Sequence, residues 1–144
     1  MSEFTPGTVV LVGGGPGDPD LLTIGGLRAV RAADVIAYDR LAPLGVLTEA
    51  KPGAVLIDVG KIPRGPQTPQ DQINQLLISH AQAGALVVRL KGGDNYLFGR
   101  GGEEALACAA AGVSVQVIPG VSSALAAPAL PIATRPIIST PPAI

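Results

Sequence analysis

Short β-branched runs alternate with helix-forming stretches along this chain, and this alternation constrains its fold more than any other feature. Strands separated by helical crossovers pair in parallel, because each crossover returns the chain to the edge where the next strand begins. The predicted fold class is therefore α/β, a five-stranded and mostly parallel sheet with helices on both faces. The predicted strands are Thr8–Val12, Val35–Tyr38, Val55–Val59, Leu86–Leu90 and Val115–Ile118.

Two helices are predicted from local signals between these strands. The first ends near Ala33 and carries apolar residues at roughly helical spacing, namely Leu21, Leu22, Leu27 and Val30. The second begins at Thr68–Asp71, where a threonine suited to the N-cap precedes a proline and an acid follows three residues on. Its buried stripe is predicted to be Ile73, Leu76, Leu77 and Ala81, with Gly84 as the C-cap.

A glycine-rich loop follows the fourth predicted strand and indicates a small-molecule site. The chain leaves the strand through Gly92, Gly93 and Asp94, and a second glycine cluster surrounds Arg100. Glycine lets backbone N–H groups approach a ligand, and in open α/β sheets ligands bind at the carboxyl ends of the strands. Asp94 could accept hydrogen bonds from hydroxyl groups, and Arg100 could bind an anion.

The loop Gly13–Asp18 after the first strand raises the question of a dinucleotide site. Asp39, at the end of the second strand, has the position of a ribose-binding acid. The dinucleotide fingerprint fails, however, because Asp18 occupies the place of its third glycine. A nicotinamide-binding domain therefore stays a weaker alternative, and an ordinary tight turn is an equal interpretation of the loop alone.

Composition excludes several other classes of function. Of the 144 residues 15% are charged, the net charge is −1, and no basic run suggests nucleic-acid binding. No cluster of His and Cys has metal-ligand spacing, and Cys108 is expected in the core. Glu103 and Glu104 are interpreted as acids that stabilise a helix N-terminus. The N-terminal segment lacks the features of a signal peptide, and polar residues interrupt the apolar stretch after Ala105, so a cytoplasmic protein without membrane contact is expected.

Nine segments of the chain form a recognisable series. They are, in order, Val12–Asp18, Leu21–Thr23, Ala33–Val35, Tyr38–Leu41, Val59–Lys61, Gln72–Asn74, Arg89–Asp94, Phe98–Glu104 and Pro119–Ser123. In this order they resemble the tetrapyrrole methylase family, and within it the uroporphyrinogen-III C-methyltransferases. The resemblance implies a homodimer and S-adenosylmethionine-dependent methylation of two ring carbons of uroporphyrinogen III. The products would be S-adenosylhomocysteine and precorrin-2, on the way to sirohaem and cobalamin.

The resemblance also implies roles for particular residues. Asp39 would be the proton acceptor and Lys61 the proton donor. Because the substrate carries many carboxylates, Arg40, Arg64 and Arg100 are candidates to bind it. The cofactor would lie on Pro16, Gly92, Gly93, Asp94, Leu97, Ser122 and Ser123.

The sequence departs from the family pattern near its end, and this leaves alternatives open. Asn95-Tyr96 stand where the family usually has Pro-Phe, and the segment Leu130–Arg135 is shortened and altered. We expect residues 1–130 to form the N-terminal family domain and residues 131–144 a linker-like tail, with the second domain absent. One alternative is therefore a truncated, catalytically inactive module for binding or dimerisation. A later precorrin methylase is another, although Tyr38–Arg40 and Val59–Lys61 argue against it.

Overall fold

The computed structural model describes residues 4–61, 69–92 and 101–120. In these ranges lie strands β1 (Thr8–Gly13), β2 (Val35–Tyr38), β3 (Val55–Asp58), β4 (Val87–Lys91) and β5 (Ser114–Ile118). The α-helices are α1 (Ile24–Ala32), α2 (Pro69–Gln82) and α3 (Gly101–Ala110). Short 3-10 helices occupy Pro19–Leu21, Leu44–Glu49 and Val59–Lys61.

All five strands join one parallel sheet in the order β3-β2-β4-β1-β5. In the register, Leu11 of β1 lies beside Arg89 of β4, and Ala37 of β2 lies on the other side of Arg89. The predicted parallel five-stranded fold is confirmed, with strand bounds within a residue or so of the predicted ones.

The sheet is covered on both faces, and alternation along the strands divides its core in two. Val10 and Val12 of β1 point to the face covered by α1 and the segment Leu44–Glu49. Val9 and Leu11 point to the opposite face, where Leu77 of α2 packs. Cys108 of α3 is fully buried in this second cluster, as expected from its alanine-rich surroundings. Both faces are buried, which explains the nearly continuous apolar strands.

The first helix differs from its prediction at its N-terminus. It begins at Ile24, because the Thr23 hydroxyl accepts a hydrogen bond from the Gly26 N–H at 3.0 Å and so caps it. Leu21 lies in the preceding 3-10 helix and Leu22 follows that helix, so neither is part of α1. The second helix begins at Pro69 as predicted, while Thr68 lies outside the described residues. Its buried positions are Leu77, Ile78 and Ala81, and the predicted Ile73 and Leu76 pack against the same core while partly buried.

The helices that follow β1 and β4 lie on opposite faces of the sheet. Helix α1, which follows β1, packs on one face, whereas α3, which follows β4, packs on the other. Since β1 and β4 are neighbours, their carboxyl ends form the topological switch point of the sheet, where open α/β sheets bind ligands in a crevice. In the part of the chain that the structure describes, no helix is long and apolar enough to cross a membrane.

Candidate active site

The residues that directly follow β1, β2 and β4 meet at the carboxyl edge of the sheet, and two glycines allow this. A Cβ atom on Gly92 would lie 2.5 Å from the carbonyl oxygen of Leu41. A Cβ atom on Gly14 would lie 2.5 Å from Cδ of Pro43 and 2.8 Å from the carbonyl oxygen of Lys91. Any side chain at either position would force these backbones apart, so glycine keeps the three strand ends in contact.

Asp39 follows β2 directly and is half-buried at this edge. Its Oδ1 atom accepts a hydrogen bond from the Leu41 N–H at 3.0 Å, which closes a tight turn. Its Oδ2 atom lies 3.6 Å from Nη2 of Arg89, and this ion pair links β2 to β4. Arg40, its neighbour in sequence, is exposed. The Asp39 carboxylate is therefore held from two directions while it keeps access to solvent.

Beside Asp39 lie three ionisable side chains that are almost completely buried: Arg89, Lys91 and Glu104, here termed the buried charge cluster. Glu104 is fully buried, and its Oε2 atom accepts a hydrogen bond from Nε of Arg89 at 3.0 Å. Its Oε1 atom lies 3.4 Å from Nζ of Lys91. A further donor is Nε2 of Gln70, at 3.3 Å from Oε2. The Glu104 carboxylate thus has hydrogen-bond partners on both oxygens, as a buried charge requires.

Strand alternation explains how the buried charge cluster forms. Val87 packs on the face of α2 and α3, so Arg89 and Lys91, two and four residues later, point the same way. Helix α3 places Glu104 in its first turn, opposite these two cations. Glu104 lies in the first turn of α3, as predicted for an acid at a helix N-terminus, but its complete burial and its pairing with two cations were not predicted. Arg89 and Lys91 stand at alternate positions of a buried strand, and this pattern could have predicted that an acid such as Glu104 packs against them.

Burial changes the pKa of two groups around Glu104. Loss of hydration lowers the pKa of Lys91, and the Glu104 carboxylate opposes this shift by favouring the charged amine. Burial also raises the pKa of the Cys108 thiol to about 11, with a smaller contribution from the negative charge of Glu104. Both shifts are consistent with surroundings of low polarity, in which the hydrogen bonds between Glu104 and its cationic partners are stronger than they would be in water.

The other predicted site residues fall into two groups. Pro16 is half-buried in the turn after β1, and Gly92 lies at the meeting point of the loops. Lys61 ends the turn after β3, where its exposed Nζ lies 4.0 Å from Oδ2 of Asp58. The remaining predicted positions form the second group, which lies outside the described residues: Arg64, Gly93, Asp94, Leu97, Arg100, Ser122 and Ser123.

Within residues 4–61, 69–92 and 101–120 no cluster of acids, His and Cys could hold a metal ion.

Comparison with known proteins decides the family. Residues 8–131 match the family model of tetrapyrrole (corrin/porphyrin) methylases. The chain belongs to the tetrapyrrole methylase family. The resemblance predicted from the sequence motifs is thereby confirmed.

Curated relatives of this tetrapyrrole methylase chain share about half of its residues. It is 50% identical over 123 residues to the uroporphyrinogen-III C-methyltransferase of Priestia megaterium, covering 85% of this chain and 52% of that protein. It is 51% identical over 121 residues to the siroheme synthase of Pseudomonas fluorescens (strain SBW25), covering 84% and 26%. The chain thus spans about half the length, or less, of the curated relatives it matches.

Solved structures agree with this placement. The uroporphyrin-III C-methyltransferase of Thermus thermophilus in complex with S-adenosylhomocysteine is 50% identical with a TM-score of 0.73. That match covers 84% of this tetrapyrrole methylase chain and 51% of the Thermus chain. A cobalt precorrin-4 methyltransferase gives 30% identity and a TM-score of 0.76, covering 86% and 50%. Both therefore share the fold described above.

Proposed function

We propose that this chain provides the N-terminal α/β domain of an S-adenosylmethionine-dependent uroporphyrinogen-III C-methyltransferase, which forms precorrin-2 for sirohaem and cobalamin. The observation that carries the proposal is Asp39. Its half-buried carboxylate lies at the crevice between β1, β2 and β4, held by the Leu41 N–H and by Arg89. The 50% identity to a Thermus enzyme crystallised with S-adenosylhomocysteine supports the same assignment.

Two of the proposed cofactor residues are described and lie at this edge of the sheet. Pro16 is half-buried in the turn after β1, and Gly92 follows β4 directly. In the proposal the cofactor contacts Pro16 and Gly92, and also Gly93, Asp94, Leu97, Ser122 and Ser123. The carboxylate and hydroxyl groups among them would accept hydrogen bonds from the hydroxyl and amino groups of a nucleoside. When bound, S-adenosylmethionine supplies an electrophilic methyl group.

The chemical step requires a proton acceptor. A ring carbon of the substrate forms a bond to the methyl group, the electron pair of the broken carbon–sulfur bond stays on sulfur, and the macrocycle then loses a proton. Asp39 is proposed to take that proton, since it is an acceptor at the edge of the crevice with partial solvent access. Lys61, at the same edge of the sheet, is proposed as the proton donor, and its exposed ammonium is within reach of solvent.

The substrate would be bound through its carboxylates. Arg40, Arg64 and Arg100 are proposed for this task, because a guanidinium can bind a carboxylate through two parallel hydrogen bonds. Arg40 is exposed next to Asp39, so a carboxylate bound there would bring the macrocycle close to the proposed base. Arg40→Lys should raise the KM for substrate more than it lowers kcat.

A cytoplasmic location and a homodimer complete the proposal. The location follows from the sequence interpretation, and the homodimer from the family resemblance. Exposed apolar side chains on the described surface could support self-association, among them Ile24, Leu44 and Val55. Light scattering after size-exclusion chromatography tests this, and a monomer at high concentration would contradict it.

Asp39→Asn in a two-domain enzyme tests the function directly. Residues 1–131 would replace the matching half of the Priestia megaterium enzyme, and methylated product would be measured by mass spectrometry. Asparagine keeps the size of aspartate but cannot accept a proton, so kcat should fall about 10²–10⁴-fold while the affinity for S-adenosylhomocysteine changes little. Asp34→Asn, at the opposite edge of the sheet, is the matched control and should leave kcat unchanged.

The fusion also separates the proposal from the inactive module. A wild-type fusion that binds S-adenosylhomocysteine but produces no methylated tetrapyrrole would favour a binding or dimerisation module. Calorimetric titration of the 144-residue chain with S-adenosylhomocysteine and with NAD provides the second measurement. We expect weak binding of the former, because half of the buried contact surface would be missing. Tight binding of NAD would instead favour a nicotinamide-binding domain.

A further inference from the structure

The buried charge cluster has no part in the chemistry proposed above, and its charges do not balance by themselves. Arg89 and Lys91 carry two positive charges, whereas Glu104 carries one negative charge. Among the described residues, Asp39 is the fourth charged group in contact with it, since its Oδ2 atom lies 3.6 Å from Arg89. Two cations then face two carboxylates. The charge balance of these four described groups thus depends on a carboxylate at the edge of the crevice.

Arg89 connects the two carboxylates with different nitrogens of one rigid guanidinium. Its Nε atom donates to Glu104 at 3.0 Å, and its Nη1 atom donates to the carbonyl oxygen of Leu90 at 3.2 Å. The remaining Nη2 atom faces Asp39. Because the guanidinium is planar, bonds at Nε and Nη1 fix the direction in which Nη2 points. Glu104 is itself immobilised, since Lys91 and Gln70 donate to its oxygens as well.

We propose that Glu104 and Arg89 are positioning residues, which act together to hold the Asp39 carboxylate in the orientation required to accept a proton. This inference rests on the proposed function for the role of Asp39, but not for the geometry. Within the described residues the side-chain contacts of Glu104 are with Arg89, Lys91 and Gln70, and the contact that leads on to Asp39 runs through Arg89. Through Arg89 of β4, Glu104 of α3 is connected to Asp39, which follows the neighbouring strand β2. A small displacement of a catalytic group can cost about 10²-fold in rate, which makes such support valuable.

The first arm of the test uses the chain itself and measures geometry. The Leu41 N–H donates to Oδ1 of Asp39, so its NMR chemical shift reports on the orientation of that carboxylate. Glu104→Gln and Arg89→Lys should each move the Leu41 amide signal. Glu49→Gln is the matched control, since Glu49 also pairs with an arginine, in an exposed position. Arg89→Lys keeps the buried charge and so provides a folded variant if Glu104→Gln does not fold.

The second arm measures rate in the fusion enzyme. Both variants should lower kcat about 10- to 100-fold with the KM for S-adenosylmethionine unchanged, because only the proton acceptor is misplaced. In an Asp39→Asn background neither should lower kcat further. A merely structural role would instead lower kcat in both backgrounds, and this additive result would overturn the proposal.

The two arms distinguish failure of the proposal from failure of the proposed function. An unmoved Leu41 amide in Arg89→Lys overturns the positioning role, whatever the fusion does. A moved amide together with a fusion that never methylates supports the positioning geometry and contradicts the methyltransferase assignment. A moved amide with unchanged kcat in an active fusion overturns the proposal, because Asp39 would then need no support.

Discussion

Two Arg–Glu ion pairs of this molecule have similar geometry and opposite surroundings. Arg31 of α1 and Glu49, at the end of the Leu44–Glu49 segment, lie 2.7 Å apart, with side chains 59% and 43% exposed. Arg89 and Glu104 lie 3.0 Å apart, with side chains 4% and 0% exposed. The first pair lies in solvent near α1, whereas the second lies under α3 beside the crevice. Distance alone would rank the exposed pair as the stronger.

The contrast shows that burial determines what an ion pair can do. An exposed pair gains little, because water and salt screen it and two flexible side chains must be ordered. A buried pair has lost its hydration, so it contributes little net stability, but either partner left alone is strongly destabilising. Such a pair therefore fixes the positions of its two side chains more than it adds to stability. Because Arg89 also contacts Asp39, we expect the pair to fix the orientation of the Asp39 carboxylate as well.

Glu104→Gln should have the largest effect and tests the contrast most directly. The change would remove the only fully buried carboxylate that Arg89 and Lys91 contact among the described residues, leaving Arg89 with the partly exposed Asp39, and the free energy of unfolding should fall by about 3–5 kcal/mol. Urea denaturation followed by circular dichroism measures it. A loss below about 1 kcal/mol would mean that water reaches the cluster, and the comparison of the two pairs would fail.

The fold was more predictable from the sequence than the site. Each strand carries a β-branched run bounded by turn residues, and Val35–Tyr38 was predicted with its observed bounds. The N-terminus of helix α1 was predicted too early, because the spacing of Leu21 and Leu22 is compatible with a helix. The helix begins only after its N-cap, Thr23. Local patterns report such features because they depend on neighbours in the chain.

The positions of Asp39 and Gly92 at the carboxyl edge also followed from the sequence, since each comes directly after a predicted strand. The Arg89–Glu104 contact did not. It joins residues of two consecutive elements, β4 and α3, and depends on which face each presents to the other, which local patterns do not specify. Likewise, the close approach of Gly92 to Leu41 requires β2 and β4 to be neighbours, a matter of strand order. The roles of Asp39 and Lys61 came from the family resemblance and stay predictions.

Alkaline titration of Cys108 tests whether the interior around the Arg89–Glu104 pair excludes water, as the comparison with the exposed Arg31–Glu49 pair assumes. The thiol has a pKa raised from 9.0 to about 11 in the folded chain. Between these values the unfolded chain releases the proton while the folded chain keeps it, so stability should fall as pH rises through this window. Relative to Cys108→Ala, the wild type should lose on the order of 2 kcal/mol there. An unchanged difference between the two proteins would indicate a hydrated interior near Glu104.

Asp34 provides an intermediate case, because it combines an exposed ion pair with a backbone hydrogen bond. Its Oδ2 atom accepts from the Leu86 N–H at 2.8 Å and its Oδ1 atom lies 2.7 Å from Nζ of Lys51. The Leu86 N–H, and secondly Lys51, lower the pKa of this carboxyl below its usual 3.8. Its contribution is therefore present above that value and lost as pH falls through the lowered pKa.

Asp34→Asn should cost about 1 kcal/mol at neutral pH, mostly through the weakened hydrogen bond to Leu86. Acid unfolding measured by circular dichroism should show a smaller loss of stability in the variant than in the wild type. Lys51→Met is the matched control for the ion pair and should cost less than Asp34→Asn. If Lys51→Met lowers the free energy of unfolding more than Asp34→Asn does, the exposed ion pair contributes more than the comparison of the two Arg–Glu pairs predicts.

Glu49→Gln should have the smallest effect, within about 0.5 kcal/mol of the wild type in urea denaturation. The side chain of Arg31 can be hydrated when its partner is gone, since it is 59% exposed, so nothing is left buried and unpaired. At about 1 M salt the Debye length falls to roughly 3 Å, and any remaining difference should vanish. The loss caused by Glu104→Gln should persist at the same salt concentration, because ions cannot enter the space between Glu104 and Arg89. A Glu49→Gln loss that equals it and survives high salt would show that pairing, rather than burial, sets the strength of both contacts.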